Sequence, residues 1–341
     1  MTVQQLLDNI GIYLLLAPYA AQQDLRCCVD KINKILGTQF NVECTGIVET
    51  FGGLSASAYS INSDNGSFFL KVYDKRLTQT PIWIENIDNY MPILSWLNEN
   101  TQLNGRIIRP VATVSGGYRY EDDYNVYILF DFIEGETIAE KPLNSYQIIE
   151  IAEIMAHLHS VGNEIPVKID KIKEHFEVPF CFSLEEYISD SFDTSPVDAI
   201  EILQPCLEQL KLKINEVKLL SERAKQKNSR SRMVICHTDA HGWNLMQSDR
   251  LILVDWEGLK LAPAEADLFM FADKEYWDVF LKHYKAIRTE FELDEEMLSF
   301  YISRRKLEDI WAFLESILYD DLSDERRKSD LKHLANQCGN L

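Results

Sequence analysis

The amino-acid sequence predicts an α+β protein with two lobes, a small β-rich N-lobe and a larger helical C-lobe. A chain of 341 residues is long enough for two hydrophobic cores. Strand-type segments dominate the first part and helical patterns dominate the second, and this separation into blocks is typical of α+β proteins. The join lies near FIEGET, 132–137. We therefore assign residues 1–133 to the N-lobe and 134–341 to the C-lobe.

The first part combines a sheet with two helical stretches. Residues 24–36 have the pattern of a short helix, with Asp24 as its cap and Gly37 as its stop. Residues 82–98 form a second helical stretch that contains Pro92. Between them and after them lie segments rich in β-branched and aromatic residues, punctuated by Gly, Asn and Asp, such as SFFLKVYD and NVYILFDFI. This pattern predicts an antiparallel sheet.

The second part is helical from Pro142 onward. Apolar residues recur at helical spacing, as in Ile148, Ile151, Met155 and Leu158, and Asn144 with Gln147 offers an N-terminal cap. Residues 233–254 are the exception, because two short apolar strands flank a polar loop there.

Composition and charge narrow the classes of function. Acidic residues outnumber basic ones by 54 to 34, and the net charge of −20 repels nucleic acid and anionic membranes. The longest apolar run, 10–21, is too short to span a bilayer. Seven scattered cysteines without a CxxC pair indicate reduced thiols. We expect a cytoplasmic protein that binds neither nucleic acid nor membrane, and whose acidity suits a cationic partner or simply keeps it soluble.

The polar loop VICHTDAHGWNL, 234–245, carries the candidate chemistry. Asp239 and Asn244 lie five residues apart, and Asp255 ends the next apolar strand, LILVD. One carboxylate accepts the proton of an attacking hydroxyl in phosphoryl transfer, whereas an amide oxygen and a second carboxylate are hard ligands for Mg²⁺. Protein kinases use Asp and Asn at this same spacing. The set thus fits a phosphotransferase.

The same loop permits two other interpretations. His237, Asp239 and His241 form an HxDxH pattern, which can bind Zn²⁺ and generate hydroxide for hydrolysis. A plain polar turn is the third. The eight residues alone do not decide among them.

The upstream sequence favours the kinase interpretation. Gly52 and Gly53, followed by small residues such as Ser55, form a loop whose backbone can approach phosphate closely, although a plain hairpin turn has the same composition. Lys71 lies in an apolar strand, where a bare charge is costly, and we expect it to bind the α- and β-phosphates rather than extend to water from a sheet edge.

The remaining kinase parts follow in order. Glu85, or alternatively Asp88, is the helix acid that would pair with Lys71. The strand that leads into the linker supplies Phe130 behind the adenine, with the Asp131 carbonyl and the Ile133 N–H as its contacts. An ordinary sheet edge has the same appearance, but the ordered set is hard to obtain by chance, and a zinc hydrolase needs none of it.

On these residues the chain resembles the aminoglycoside phosphotransferase family, relatives of the protein kinases, from about residue 45 to 317. The segment DWEGLKLAPAEADL and the segment FYISRRKLEDIWAF look like the spectinomycin phosphotransferase branch in particular. The resemblance implies a bilobal protein-kinase-like fold with ATP between the lobes.

Carried over by position, the resemblance implies Asp239 as the catalytic base, Asn244 and Asp255 as Mg²⁺ ligands, and Lys71 as a ligand of the ATP phosphates. Asp267 and His237 would support the loop by hydrogen bonds. ATP is the expected phosphoryl donor, with GTP as an open alternative.

The acceptor is less defined. The family and the acidic composition imply a small cationic, hydroxylated molecule, with Glu257 and Trp243 as candidate contacts, although Trp243 and Trp256 also fit a core position. Choline, homoserine and sugar kinases of the same fold share every catalytic residue, and a nucleotide-binding protein without activity is a further alternative. The choice between monomer and dimer stays open.

Overall fold

The computed structural model describes residues 29–50, 56–77, 80–162, 165, 169–192, 196–227 and 232–341, apart from the side chain of Ile82. The chain divides into two compact units. The first comprises Met1–Tyr73 and Pro110–Phe132, and the second comprises Asp74–Arg109 and Ile133–Leu341.

An antiparallel sheet forms the frame of the first unit. Its described strands are β1 (Cys44–Thr50), β2 (Ser57–Ser63), β3 (Gly66–Asp74), β4 (Pro110–Val111), β5 (Arg119–Glu121) and β6 (Asn125–Asp131). The order is β1-β2-β3-β6-β4, and β5 also pairs with β6. Strands β2 and β3 are joined by a tight turn in which Gly66 has a φ of 131°, a conformation that favours glycine. The sheet predicted from composition is confirmed.

A helix packs on one face of this sheet. Residues 29–35 are α-helical and continue into a π-helical turn, Leu36–Phe40. Leu36 and Phe40 are buried in a core with sheet residues such as Leu70. The expected stop at Gly37 is wrong, because this core holds one further turn and the helix ends only at Asn41, whose φ is 55°. The expected cap, Asp24, lies outside the described residues.

The second unit is mainly helical. Its described α-helices are α1 (Thr80–Glu85), α2 (Ile87–Asn100), α3 (Ser145–Ser160), α4 (Pro179–Glu186), α5 (Val197–Leu203), α6 (Leu207–Lys227), α7 (Glu265–Leu268), α8 (Trp277–Ile287), α9 (Glu295–Tyr319) and α10 (Asp324–Cys338). The predicted cap of α3 is present, since the side chain of Asn144 accepts from the Gln147 N–H at 3.1 Å and the Gln147 side chain accepts from the Asn144 N–H at 2.9 Å. In the described part of the chain, no helix is long and apolar enough to cross a membrane.

The second unit also contains short β-strands, which are connected by loops. They are β7 (Glu136–Thr137), β8 (Met233–Cys236), β9 (Leu245–Gln247), β10 (Leu251–Leu253) and β11 (Lys260–Pro263). Strand β9 lies between β10 and β7, and β8 pairs with β11.

The units differ from the predicted lobes in one respect. The chain passes between them at Phe132, next to the expected boundary, but residues 74–109, which include α1 and α2, belong to the second unit. Backbone hydrogen bonds account for this: the Ile108 N–H donates to the Leu253 carbonyl at 3.1 Å, and the Leu253 N–H donates to the Arg106 carbonyl at 2.9 Å. The helix that we expected in the N-lobe is thereby tied, through the segment that follows it, to strand β10.

Candidate active site

Two separate strand pairs frame the polar loop between β8 and β9. Strand β8 pairs with β11, and β9 pairs with β10, both antiparallel. The loop therefore crosses from a two-stranded sheet to a three-stranded sheet, and its shape depends on side chains that lie outside both sheets.

Asp267, in α7, supplies much of that support. Its carboxylate is fully buried. It accepts hydrogen bonds from the His237 N–H at 2.9 Å, from the Thr238 N–H, and from Nε2 of His159 at 2.8 Å. Thr238 has a φ of 71°, which is costly for a threonine, so these bonds also hold a strained residue in place. Asp267 thus supports the start of the loop by hydrogen bonds.

His237 is held in one tautomer by its two ring contacts. The Asp239 N–H donates to Nδ1 at 3.2 Å, so that nitrogen is an acceptor. Nε2 lies 3.0 Å from the Val254 carbonyl and must therefore carry the proton. Burial lowers the pKa of His237, which keeps the ring neutral. Both nitrogens are occupied by backbone groups, so a zinc ion on His237 would have to break one of these bonds.

The arrangement of possible metal ligands does not support the zinc-site alternative in this loop either. In the ranges that the structure describes, the one cluster of histidine, cysteine and acidic ligands is His159, Cys236 and Asp267. That cluster is buried, and His159 and Asp267 already bond to each other. The HxDxH pattern thus does not form a three-ligand site.

Asp239 is partly accessible, with 32% of its side chain exposed. One oxygen, Oδ1, accepts from Nη1 of Arg305 at 2.7 Å. The other, Oδ2, accepts from Nδ2 of Asn244 at 3.0 Å and lies 3.4 Å from Nε2 of His241. Burial raises the pKa of Asp239, but Arg305 and His241 outweigh burial and hold that pKa well below its usual range. The carboxylate is ionised at neutral pH and ready to accept a hydrogen bond.

Asn244 lies directly beside Asp239 and leads toward Asp255. Both side-chain hydrogen bonds of Asn244 use Nδ2, which donates to the carbonyl and the carboxylate of Asp239. The amide oxygen is the atom it would offer to a cation. The Val254 N–H donates to the Asn244 carbonyl at 3.0 Å, which brings the residue before Asp255 against the loop. These donors, an amide oxygen and a carboxylate, fit a hard cation such as Mg²⁺.

Asp255 itself departs from the expected strand. Strand β10 ends at Leu253, and Asp255 has a φ of 68° rather than an extended backbone. A non-glycine residue in this region stores strain, and such strain is concentrated at functional sites. Leu251 and Leu253, on one face of β10, are both fully buried.

The two tryptophans of the motif have different environments. Trp256 is 2% exposed and packs edge-to-face on His237, with ring centroids 4.7 Å apart. Trp243 is 50% exposed and so remains a candidate for contact with an acceptor. The structure therefore separates a core position from a surface position that the sequence could not distinguish.

Sequence reasoning missed Tyr90, a residue of α2 that lies near Asp255 and Glu257. In the described structure its buried hydroxyl has no hydrogen-bond partner. Burial raises the pKa of Tyr90, and the nearby charges of Glu257 and Asp255 raise it further. Tyr90 thus carries a donor close to two acids, although it lies 165 residues before Asp255 in the chain.

Arg305 is the second residue that sequence reasoning missed. It lies on α9, and its Nε donates to Asp309 at 2.8 Å, one helical turn away. The neighbouring Arg304 instead contacts Glu174 at 3.0 Å and Glu308 at 2.8 Å. The available signal was a pair of arginines, each followed four residues later by an acid, in a largely buried helix.

The predicted nucleotide-binding residues are divided between the two units. Gly52, Gly53 and Ser55 lie outside the described residues. Lys71 on β3 is 6% exposed and Phe130 on β6 is 5% exposed, and both lie in the first unit with Asp131. Glu85 ends α1 and Asp88 lies in the first turn of α2, both exposed and both in the second unit with Ile133. Their roles toward a nucleotide, including an ion pair with Lys71, stay predictions.

Comparison with known proteins identifies the family. A model of the phosphotransferase enzyme family matches residues 48–297. The chain belongs to this family. The phosphotransferase motifs quoted from the sequence, from Lys71 to Asp267, all lie within the matched residues, so this protein is a phosphotransferase, as the resemblance implied.

Solved structures show which fold this phosphotransferase has. It is similar to spectinomycin phosphotransferase APH(9)-Ia in complex with ADP and spectinomycin (TM-score 0.64, 17% identity, covering 90% of this chain and 93% of that one). It is also similar to choline kinase LicA from Streptococcus pneumoniae (TM-score 0.56, 17% identity, covering 91% and 99%) and to a microcompartment-associated aminopropanol kinase (TM-score 0.57, 15% identity, covering 91% and 95%). No curated protein sequence matches the chain. The α+β, protein-kinase-like fold is confirmed.

Proposed function

We propose that this phosphotransferase transfers the γ-phosphoryl group of Mg·ATP to a hydroxyl of a small cationic acceptor of the aminoglycoside or spectinomycin type. One observation carries the proposal: the ionised, partly exposed carboxylate of Asp239 lies within hydrogen-bond distance of the Asn244 amide. Phosphoryl transfer requires an attacking hydroxyl to be positioned at the phosphate. A base in direct contact with an amide that can bind the metal ion meets this requirement.

Each residue then has a defined task in the transfer. The acceptor hydroxyl donates to Asp239; its oxygen forms a bond to the γ-phosphorus, and its proton passes to Asp239. The bond from that phosphorus to the bridging oxygen breaks, and ADP keeps the electron pair. Asn244 and Asp255 would hold Mg²⁺, which when bound neutralises the charge on the phosphate oxygens. Lys71 would bind the ATP phosphates.

Similar solved structures support the proposed choice of nucleotide and acceptor. The similar spectinomycin phosphotransferase was solved with ADP and with spectinomycin. A structure similar to this chain, with a TM-score of 0.58, is a GDP complex of aminoglycoside 2'-phosphotransferase-IIIa, so GTP stays an alternative donor. The half-exposed Trp243 offers an aromatic face to a cation, and Glu257 offers a negative charge.

A metabolic kinase is the second candidate. Similarity in fold to the choline and aminopropanol kinases favours it, since they have TM-scores of 0.56 and 0.57. Choline, homoserine and simple sugars are therefore included as acceptors in the same assay.

The experiment is a coupled assay of ADP release from Mg·ATP, run against spectinomycin, a panel of aminoglycosides and the metabolic acceptors. We expect Asp239→Ala to lower acceptor-dependent turnover by a factor on the order of 10²–10⁴, the usual size of a general-base contribution, and to leave ATP binding intact. Asp249→Ala, which removes an exposed aspartate from the turn after β9, is the matched control. Full turnover by Asp239→Ala would refute the assignment of the base.

A further inference from the structure

Arg305 contacts the candidate base more closely than any other charged group for which the structure gives a distance. Its Nη1 lies 2.7 Å from Oδ1 of Asp239, whereas His241 lies 3.4 Å from Oδ2. Arg305 and Asp239 are 66 residues apart in the sequence, on α9 and on the loop after β8. The contact therefore exists only because α9 packs beside that loop.

Arg305 is itself held from its other side. Its Nε donates to Oδ1 of Asp309 at 2.8 Å. Oδ2 of Asp309 accepts from Nε2 of Gln337, in α10, at 3.1 Å. The guanidinium thus bridges two carboxylates, and the second of these is fixed by the C-terminal helix. A planar fork of donors suits this arrangement, whereas a flexible ammonium would make one contact at a time.

The neighbouring arginine shows that this arrangement is specific. Arg304 has the same relation to an acid one turn later, Glu308, but its remaining contact is with Glu174 and not with the loop. Only the position of Arg305 on the helix brings a cation to Asp239.

A count of acceptor positions gives the chemical consequence. An ionised carboxylate has about four lone-pair positions. Arg305 and Asn244 occupy two on Asp239, and His241 lies 3.4 Å from the oxygen that Asn244 binds. With these positions filled, a hydroxyl can approach the carboxylate from a restricted set of directions. Pre-organisation of this kind is a large part of catalysis by phosphotransferases.

We propose that Arg305 is a positioning residue of this phosphotransferase, which holds the Asp239 carboxylate in the orientation that receives the acceptor hydroxyl. Arg305 is itself held by Asp309, which Gln337 fixes in turn. This inference rests on the proposed role of Asp239. It differs from a direct role of Arg305 on the phosphate, because all of its effect passes through one carboxylate.

A double-mutant cycle tests that difference. Arg305→Met is compared with Lys306→Met, which removes the same charge from the next residue of α9. Lys306 donates to the carbonyl of Asn340, which lies just after α10. We expect Arg305→Met to lower kcat about 10- to 100-fold and change KM for ATP less than about twofold, and Lys306→Met to change neither. Arg305→Lys should restore part of kcat. In the Asp239→Ala background, Arg305→Met should cause no further loss.

The probes are Mg·ATP with spectinomycin, and Mg·ATP alone, with water as the acceptor. If Arg305→Met still lowers kcat in the Asp239→Ala background, or if it behaves like Lys306→Met, the positioning role is overturned. Full activity of Asp239→Ala would instead overturn the proposed function. A crystal structure of Arg305→Met supplies a readout that is independent of turnover: we expect the Asp239 carboxylate in a different rotamer, and an unchanged rotamer contradicts the inference.

Discussion

Replacement of Asp267 by asparagine should both destabilise the second unit and misplace the candidate catalytic loop. The carboxylate of Asp267 accepts from the backbone of His237 and Thr238 and from the ring of His159. An amide has only one acceptor oxygen. If that oxygen stays at the Oδ2 position, where two of the donors converge, the new NH₂ group faces the Thr238 N–H.

The magnitude follows from these three bonds. One buried N–H loses its partner, which costs about 1–3 kcal/mol. The two remaining bonds lose a charged acceptor, which costs about 0.5–1 kcal/mol each, since hydrogen bonds to charged groups are roughly twice as strong as neutral ones. The sum is about 2–5 kcal/mol. For a unit of this size each kcal/mol lowers Tm by roughly 2–4 °C, so we expect a fall of about 4–20 °C.

Differential scanning calorimetry measures the stability, and the ADP-release assay measures kcat in the same preparations. Asp273→Asn is the matched control, because Asp273 is an exposed aspartate that contacts the neighbouring Lys274. We expect the control to remain within about 1 °C of the wild type, as surface substitutions usually do. A Tm for Asp267→Asn equal to that of the control would show that the three bonds do not hold the loop.

Two further predictions concern stability and the shape of the loop. Burial raises the pKa of Glu174, but Arg304 and Lys260 outweigh burial and bring it to about 2, below its ordinary value. Because the pKa of Glu174 is lower in the folded state, its ionised carboxylate stabilises the folded protein. This contribution to the free energy of unfolding is complete above the unfolded pKa near 4.5 and is lost as the pH falls toward 2. It amounts to about 3 kcal/mol. Urea midpoints recorded from pH 6 to pH 2 should therefore fall less steeply for Glu174→Gln, and an identical slope would contradict the assignment. Gly242→Ala places a methyl group 2.1 Å from the Ala139 carbonyl oxygen, so the loop between Asp239 and Asn244 must shift. We expect a loss of about 1–3 kcal/mol and a lower kcat, whereas Gly162→Ala, which meets no atom within 4 Å, should change neither Tm nor kcat measurably.

The residues of the polar loop could be recognised from the sequence because phosphoryl transfer needs particular side chains at short spacing. Asp239 and Asn244 lie in one loop, and the side chain of the second donates to the first. Helical faces could be predicted for the same local reason: the apolar positions of α3 repeat every three or four residues, and those named from the sequence are buried.

Several boundaries were harder to predict, because long-range contacts decide them. The helix at residues 29–40 passes Gly37 since the sheet covers Leu36 and Phe40. Residues 74–109 belong to the second unit because hydrogen bonds at Arg106 and Ile108 join them to β10. The local sequence pattern does not show that the sheet is the partner of the first segment or that β10 is the partner of the second.

By itself, the sequence determined the α+β class and the family resemblance, and it singled out Asp239 as the candidate base, because these depend on composition, periodicity and short spacings. Only the tertiary structure decided which groups hold that carboxylate. Arg305 and Gln337 reach the site from α9 and α10, and Asp267 from α7, because packed helices bring together residues that are separated by tens of positions. A local pattern shows that a helix has a buried face, but the side chain that this face meets depends on how the elements pack.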